Sequence, residues 1–330
     1  MPHQRERNAV RCESRCVMEG CHRFAIRISY DGSGYKGFQS QPHGNTIQDD
    51  IEKRLGSMVR RRVRIFAAGR TDAGVHAMGQ IITVDLAENE ILRFTRSKQK
   101  NHENDENKIV SQTDLNTMAK ILSSALRLFE CNQLKGSISA QAVTPVPHDF
   151  DPRYSCVWKR YVYTISYNGA ICGRSPFLVR YAWQLEDDLN TADMIHASKL
   201  LEGEHDFQWL SIFEVGEERS SIRKLHLSVK EEEHSSLFGK SKILKISATC
   251  DFFLYKMVRR IVGVLVSIGQ GKVDLAALET CIQEQDCVHS ERSTDKQNQD
   301  KLQIPDGLLQ TAPPNGLCLE HVQYDSIELN

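Results

Sequence analysis

The sequence predicts an α+β fold in two halves, each a mostly antiparallel sheet with helices packed on it. Three observations carry this: short apolar runs of period two bounded by Gly, Asp and Ser, longer runs with apolar residues at helical spacing, and two polar stretches that interrupt the pattern. Phe24-Ala25-Ile26-Arg27-Ile28-Ser29-Tyr30 alternates apolar with polar and reads as the first strand, ended by Asp31-Gly32-Ser33-Gly34. From Thr46 to Arg62, residues Ile47, Ile51, Leu55, Met58 and Val59 share one helical face. Val63–Ala67 and Gln80–Asp85 are β-rich runs on either side of a turn, and Leu115–Phe129 resumes a helical pattern. The polar run from Arg96 to Asp114 has few apolar anchors and reads as a mobile insert in a first half spanning 24–149, with residues 1–23 a flexible extension.

The second half, 150–330, opens with a strand from Trp158 to Ser166 that sets Tyr161 and Tyr163 on the face opposite Val162. A helix over Thr191–Leu201, strands over Ser221–Lys230 and Ile243–Cys250, and a strongly apolar helix over Leu254–Ile268 follow. Asp286–Gln303 is a second polar insert, and Leu317–Tyr324 a closing strand. Arg259 lies inside the apolar pattern of the last helix. Such a charge either snorkels to water or meets a carboxylate.

With 330 residues, 40% of them hydrophobic and 26% charged, the chain has ample material for a core. No apolar run approaches the roughly 20 residues that span a bilayer, so no membrane protein is expected. The formal net charge of -1 hides clusters of positive charge: Arg60, Arg61, Arg62 and Arg64, then Arg153, Lys159 and Arg160, then Lys256, Arg259 and Arg260. Local potential rather than net charge draws in a phosphate backbone, so a basic surface on a neutral protein is open, beside the alternative of solvated faces. The ten cysteines are scattered without a CxxC pair, which points to free thiols in a reducing compartment. Cys12, Cys16, Cys21 and His22 imitate a zinc knuckle, but no apolar pattern around them would organise one. No metal and no cofactor is expected. Five arginines fall in the first 23 residues, but Glu6, Glu13 and Glu19 spoil a transit signature, so the compartment stays open.

The run Ala68-Gly69-Arg70-Thr71-Asp72-Ala73-Gly74-Val75-His76 concentrates a carboxylate, a guanidinium and two glycines in a turn between strands. Glycine permits the backbone conformations that hold a side chain close against a ligand. On the residues alone, the turn is either a structural Arg/Asp pair or a reactive carboxylate. Asp72 and His76 are four apart, but Gly74 between them breaks a helix that would align them on a metal.

Taken together, these blocks resemble the TruA-type pseudouridine synthases. Tyr30-Asp31-Gly32-Ser33-Gly34-Tyr35-Lys36-Gly37-Phe38-Gln39 with Thr46-Ile47-Gln48 resembles the family's opening strand, turn and helix start. Gly69–His76 matches its catalytic loop, Lys159-Arg160-Tyr161-Val162-Tyr163 the strand with the active-site tyrosine, and Met257-Val258-Arg259-Arg260-Ile261-Val262-Gly263 the helix with the active-site arginine. Ala312-Pro313-Pro314-Asn315-Gly316-Leu317-Cys318-Leu319 is similar to its closing loop and strand. The matches run in family order from about residue 24 to residue 325. Phe129-Glu130-Cys131-Asn132-Gln133-Leu134-Lys135 departs from the family's Asn with a nearby Leu-Pro, and the two inserts lengthen the chain.

The resemblance implies the pseudouridine synthase fold with an active-site cleft between the halves, and isomerisation of uridine in the anticodon stem-loop of transfer RNA. It implies Asp72, Tyr161 and Arg259 as catalytic residues, with Arg259 the cation that keeps Asp72 ionised. Carboxylate attack at C1′, attack at C6 and a glycal route all remain open at this point, as does whether Tyr161 is itself the base. A uridine in a stem has to be flipped out of it, which calls for contacts to RNA from Arg70, Thr71, His76, Arg60, Lys159, Arg160, Lys256 and Arg260. Among these, Arg70 would touch phosphate or brace the loop, and His76 would brace it. An RNA-binding protein without activity on the same scaffold, a synthase for other RNAs, and a homodimer also stand as readings.

Overall fold

The computed structural model describes residues 20–96, 109–127, 129–131, 134–167, 175–212, 220–236, 239–291, 304 and 306–327. In chain order its first elements are β1 (Cys21–Tyr30), α1 (Ile47–Val59), β2 (Ile65–Ala67), β3 (His76–Ala87), α2 (Glu88–Thr95), α3 (Gln112–Ala125), β4 (Phe129–Cys131) and β5 (Leu134–Val146). There follow β6 (Cys156–Tyr167), β7 (Trp183–Gln184), α4 (Thr191–Leu201), β8 (Gly203–Asp206), β9 (Ile222–Ser236), β10 (Gly239–Cys250), α5 (Met257–Gly269), α6 (Leu275–Glu291) and β11 (Leu317–Tyr324). The contacts divide into two units, Met1–Val157 with Leu319–Asn330, and Trp158–Cys318.

In the first unit the strands lie in the order β4-β5-β1-β3-β11, with β2 paired to β3. Both neighbours of β1 run antiparallel to it. Phe24, Ala25, Ile26 and Ile28 of β1 are fully buried, so this strand is covered on both faces in its middle. Arg23, opposite Asp85 in the register, forms a two-pronged ion pair with it (2.7 and 2.8 Å) and donates to the Phe150 carbonyl, which lets a charged residue be 2% exposed. Helix α1 starts where Thr46 accepts the Asp49 N–H, with Asp49 and Asp50 in its first turn, and buries Ile47, Ile51, Leu55 and Val59. It stops at Val59 rather than Arg62 because Arg60 adopts a left-handed backbone (φ 63°) whose N–H closes on the Gly56 carbonyl.

The second unit carries the antiparallel order β6-β10-β9-β8, with the short β7 parallel to β6. Helix α5 is its core: all of Val262–Gly269 is buried, and α4 packs against it, with Gly269 lying so close to Met194 that a Cβ would meet Sδ at 2.7 Å. The helix begins at Met257, not Leu254, because Lys256 takes a left-handed backbone (φ 60°) that no apolar periodicity encodes.

Three further differences from the sequence reading have local causes. Strand β5 is not predicted from sequence: Leu134–Val146 carries lysine, serine and glutamine with too little apolar content to register, yet it pairs along β1. The polar stretch 96–114 is built at its ends, since Ser111 and Asp114 cap α3 reciprocally and Asp114 also takes the Arg96 guanidinium at 2.7 Å. The closing strand groups by its contacts with the first unit from Leu319 onward, because it lies beside β3. The extension before residue 20, residues 97–108 and residues 292–303 lie outside the described residues, and α6 occupies the start of the second polar stretch.

Candidate active site

In the first unit the loop 68–75 is fixed at each end and along its length. Its entry is tied by Ala68 N–H to the Ile81 carbonyl, and by the fully buried Gln80, whose amide donates to the Gly69 carbonyl at 2.8 Å. Thr71 is buried, its hydroxyl 2.8 Å from the Tyr30 hydroxyl and its carbonyl accepting the Phe38 N–H. Val75 N–H closes a turn on the Asp72 carbonyl, and Gly74 supplies the positive φ (80°) that the turn needs.

The turn after β1 is pressed flat on this loop. A Cβ on Gly32 would stand 2.0 Å from the Val75 carbonyl oxygen, and one on Gly37 would stand 3.1 Å from that of Thr71. Gly37 and Phe38 in turn offer their carbonyls to the first N–H groups of α1, Ile47 and Gln48. His76 is buried, and its Nδ1 accepts the Gly32 N–H at 3.1 Å. Asp31 Oδ1, 3.2 Å from the same Nδ1, is engaged by the Ser33 N–H. Asp72 is thus carried half-buried between two buried anchors, Thr71 and Val75. Arg70 is exposed and makes no ion pair among the described residues, so the turn is not an Arg70–Asp72 pair.

In the second unit the alternation of β6 puts Lys159, Tyr161 and Tyr163 on one buried face. The Tyr161 ring meets Phe253 edge-on at 5.1 Å between centroids. Arg259, half-buried near the start of α5, is held at both ends by one residue: its Nε donates to the Ala312 carbonyl at 2.8 Å, and its own carbonyl accepts the Ala312 N–H at 3.0 Å. The segment carrying Ala312 is locked in turn, since Tyr163 donates to the Pro313 carbonyl at 2.8 Å and Asn315 donates to the Val179 and Ala182 carbonyls. Burial pushes the Tyr163 hydroxyl far above the usual range, partly offset by Arg259, so it remains a donor. Gly263 faces the Gln310 carbonyl with space for no Cβ at all, which would lie 1.9 Å from the oxygen.

This segment, Gln310–Gly316, and Tyr163 are positioning elements that the sequence reading gave no role; the alternation that set Tyr163 beside Tyr161 was the available signal. Among the residues expected to touch RNA, Arg60 is exposed, Lys256 and Arg160 are half-exposed, and Lys159 is buried. Arg260 donates through Nη1 to the Trp209 and Ser211 carbonyls, fastening a neighbouring loop, and its Nε is enclosed, as is that of Arg160. Arg61 and Arg64 are likewise engaged, by Glu90 and Glu52.

The sequence pattern of the family described as tRNA pseudouridine synthase matches residues 26–155 and 197–325, which take in the Asp72 loop and the Arg259 helix. The chain belongs to this family. Proteins named tRNA pseudouridine synthase A are its relatives: that of Bacillus sp. (strain KSM-64) is 33% identical over 264 residues, 80% of this chain and 91% of its own length. Those of Listeria welshimeri (33% over 306 residues, 92% and 99%) and Geotalea daltonii (32% over 297 residues, 90% and 97%) extend over nearly the whole of both chains. Among the described residues no group of three or more His, Cys, Asp or Glu side chains is arranged to hold a metal, and no helix is long and apolar enough to cross a membrane.

Proposed function

We propose that this chain isomerises uridine to pseudouridine in transfer RNA, in the anticodon stem-loop, with Asp72 as the reacting carboxylate. Membership of the family supports the reaction, and the construction of the 68–75 loop supports Asp72: Ala68, Gly69, Thr71 and Val75 are tied by hydrogen bonds, while the carboxylate is carried half-buried between the buried Thr71 and Val75. The reaction breaks the bond from ribose C1′ to uracil N1, turns the base, and joins C1′ to C5, with the C5 proton lost and N1 protonated. A carboxylate serves each route to bond cleavage by stabilising or trapping the electron-poor centre.

Tyr161 packs against the uracil and stands by for the C5 proton in this reading, and Arg259 supplies positive charge to the same reaction. Holding Arg259 through Nε on a locked segment removes the rotamer freedom that a long side chain would otherwise lose on binding. Arg60, Arg70, Arg160 and Lys256 contact phosphates of the RNA, while Thr71 and His76 keep the loop in shape. The target base leaves its stack to be reached.

The test is to incubate the full chain with an unmodified transfer RNA transcript and map pseudouridine by carbodiimide adducts that stop reverse transcription. Stops in the anticodon arm that need the protein are expected; none anywhere overturns the reading. A homodimer belongs to the same proposal, and a mass measurement in solution checks it.

A further inference from the structure

Lys159 is 5% exposed, and its ammonium has no hydrogen bond or ion pair with any described residue. Its Nζ stands over the Phe252 ring, 5.8 Å from the centroid. A cation–π contact offsets only a small part of what it costs to take an ammonium out of water without a counter-charge. Among the described residues no carboxylate is seen to supply that charge. The same ring carries the Arg223 guanidinium at 5.5 Å, a second cation. The carboxylate closest in sequence to Phe252, that of Asp251, is turned to its own loop, accepting the Phe252 N–H at 2.7 Å and the Cys250 thiol at 3.2 Å. Cys250, opposite Lys159 in the register, has its thiol pushed up to about 12 by burial and stays neutral.

A buried lysine without a counter-charge among the described residues is a poor stabilising element and a good anion receptor. It also sits two residues from Tyr161 on the same face of β6, a separation of about 7 Å along a strand. That is the order of the distance between a nucleotide's base and its own phosphate. We propose that Lys159 binds the phosphodiester of the same nucleotide whose uracil packs on Tyr161, so that one strand face holds base and backbone of the flipped residue together. The inference rests on the functional reading of Tyr161 given above.

The experiment compares the full-length wild type with Lys159→Met and Lys159→Arg, using a fluorescently labelled transfer RNA transcript. Dissociation constants are measured across a salt series, with kcat/KM and Tm for each protein. Lys159→Met is expected to flatten the dependence of log K on log salt by about 0.7–0.9, as for one lost phosphate contact, and to lower kcat/KM at least about ten-fold. Its Tm is expected to be equal or higher, because an unpaired buried charge has gone. Lys159→Arg should keep the wild-type salt slope.

An unchanged slope in Lys159→Met overturns the phosphate contact, even if kcat/KM falls. A lowered Tm in both variants with parallel losses of activity assigns Lys159 to the core instead. If the wild type itself forms no pseudouridine, the functional reading fails, while the salt slope still tests Lys159 as a phosphate contact.

Discussion

Arg259 is fixed by Ala312 through both its side chain and its main chain, an arrangement that sets the guanidinium before any ligand arrives. Its replacement should therefore act on turnover more than on binding. Arg259→Ala is expected to lower kcat by about a hundred-fold or more while the dissociation constant for transfer RNA changes only a few-fold, the signature of an interaction made in the transition state. Equal losses in both, measured by single-turnover kinetics and titration, would make Arg259 a phosphate contact. At this scale the sequence was most informative where the chemistry is local. Arg70, Thr71, Asp72 and His76 are contiguous or nearly so, and their loop is legible as a run of letters. The role of Tyr163 was not legible, because it depends on the Pro313 carbonyl, 150 positions away in the chain.

At the scale of elements, α5 and the 310–316 segment depend on a backbone approach that only glycine allows. Gly263→Ala should force the helix and the Gln310 carbonyl apart and cost about 1–3 kcal/mol, read as a lower midpoint in urea unfolding. A midpoint like that of the wild type would mean the contact relaxes freely. The cap of α3 makes a prediction about acid. The Arg96 guanidinium beside Asp114, with help from the Ser111 and Thr95 hydroxyls, holds its carboxyl well below the usual carboxylate range. A lowered folded-state pKa contributes stability that is present above the unfolded value of about 3.9 and is lost as pH falls below it. Asp114→Asn should therefore lower Tm at neutral pH, with the gap to wild type closing below about pH 4. A gap independent of pH would assign the effect to packing. Apolar alternation identified β1 and most of β6, whereas β5 escaped because pairing with β1, not its own composition, makes it a strand.

At the scale of the whole molecule, the first unit is completed from both ends of the chain. Leu319, Val322 and Tyr324 of β11 are buried, and Tyr324 donates to the Pro152 carbonyl at 2.6 Å while its ring meets Phe150 at 5.0 Å. Chain order alone placed this strand with the residues before it, since nothing in its sequence names the β3 edge it joins. Deleting residues 319–330 should destabilise the first unit first, seen as new protease cleavage within Cys21–Val146; cleavage confined to residues 158–318 would contradict this. The net charge of -1 describes the molecule poorly for the same reason, because Arg60, Arg70 and Lys256 stand at particular places while many of the other charges are paired. All of this bears on the proposal that the chain is a pseudouridine synthase whose reacting group is Asp72. Transfer RNA labelled with tritium at uridine C5 tests it most directly, with wild type and Asp72→Ala compared for label released to water. Release by the wild type is expected, with a loss of at least about a thousand-fold in the variant and RNA binding retained. Release by Asp72→Ala at the wild-type rate would contradict it.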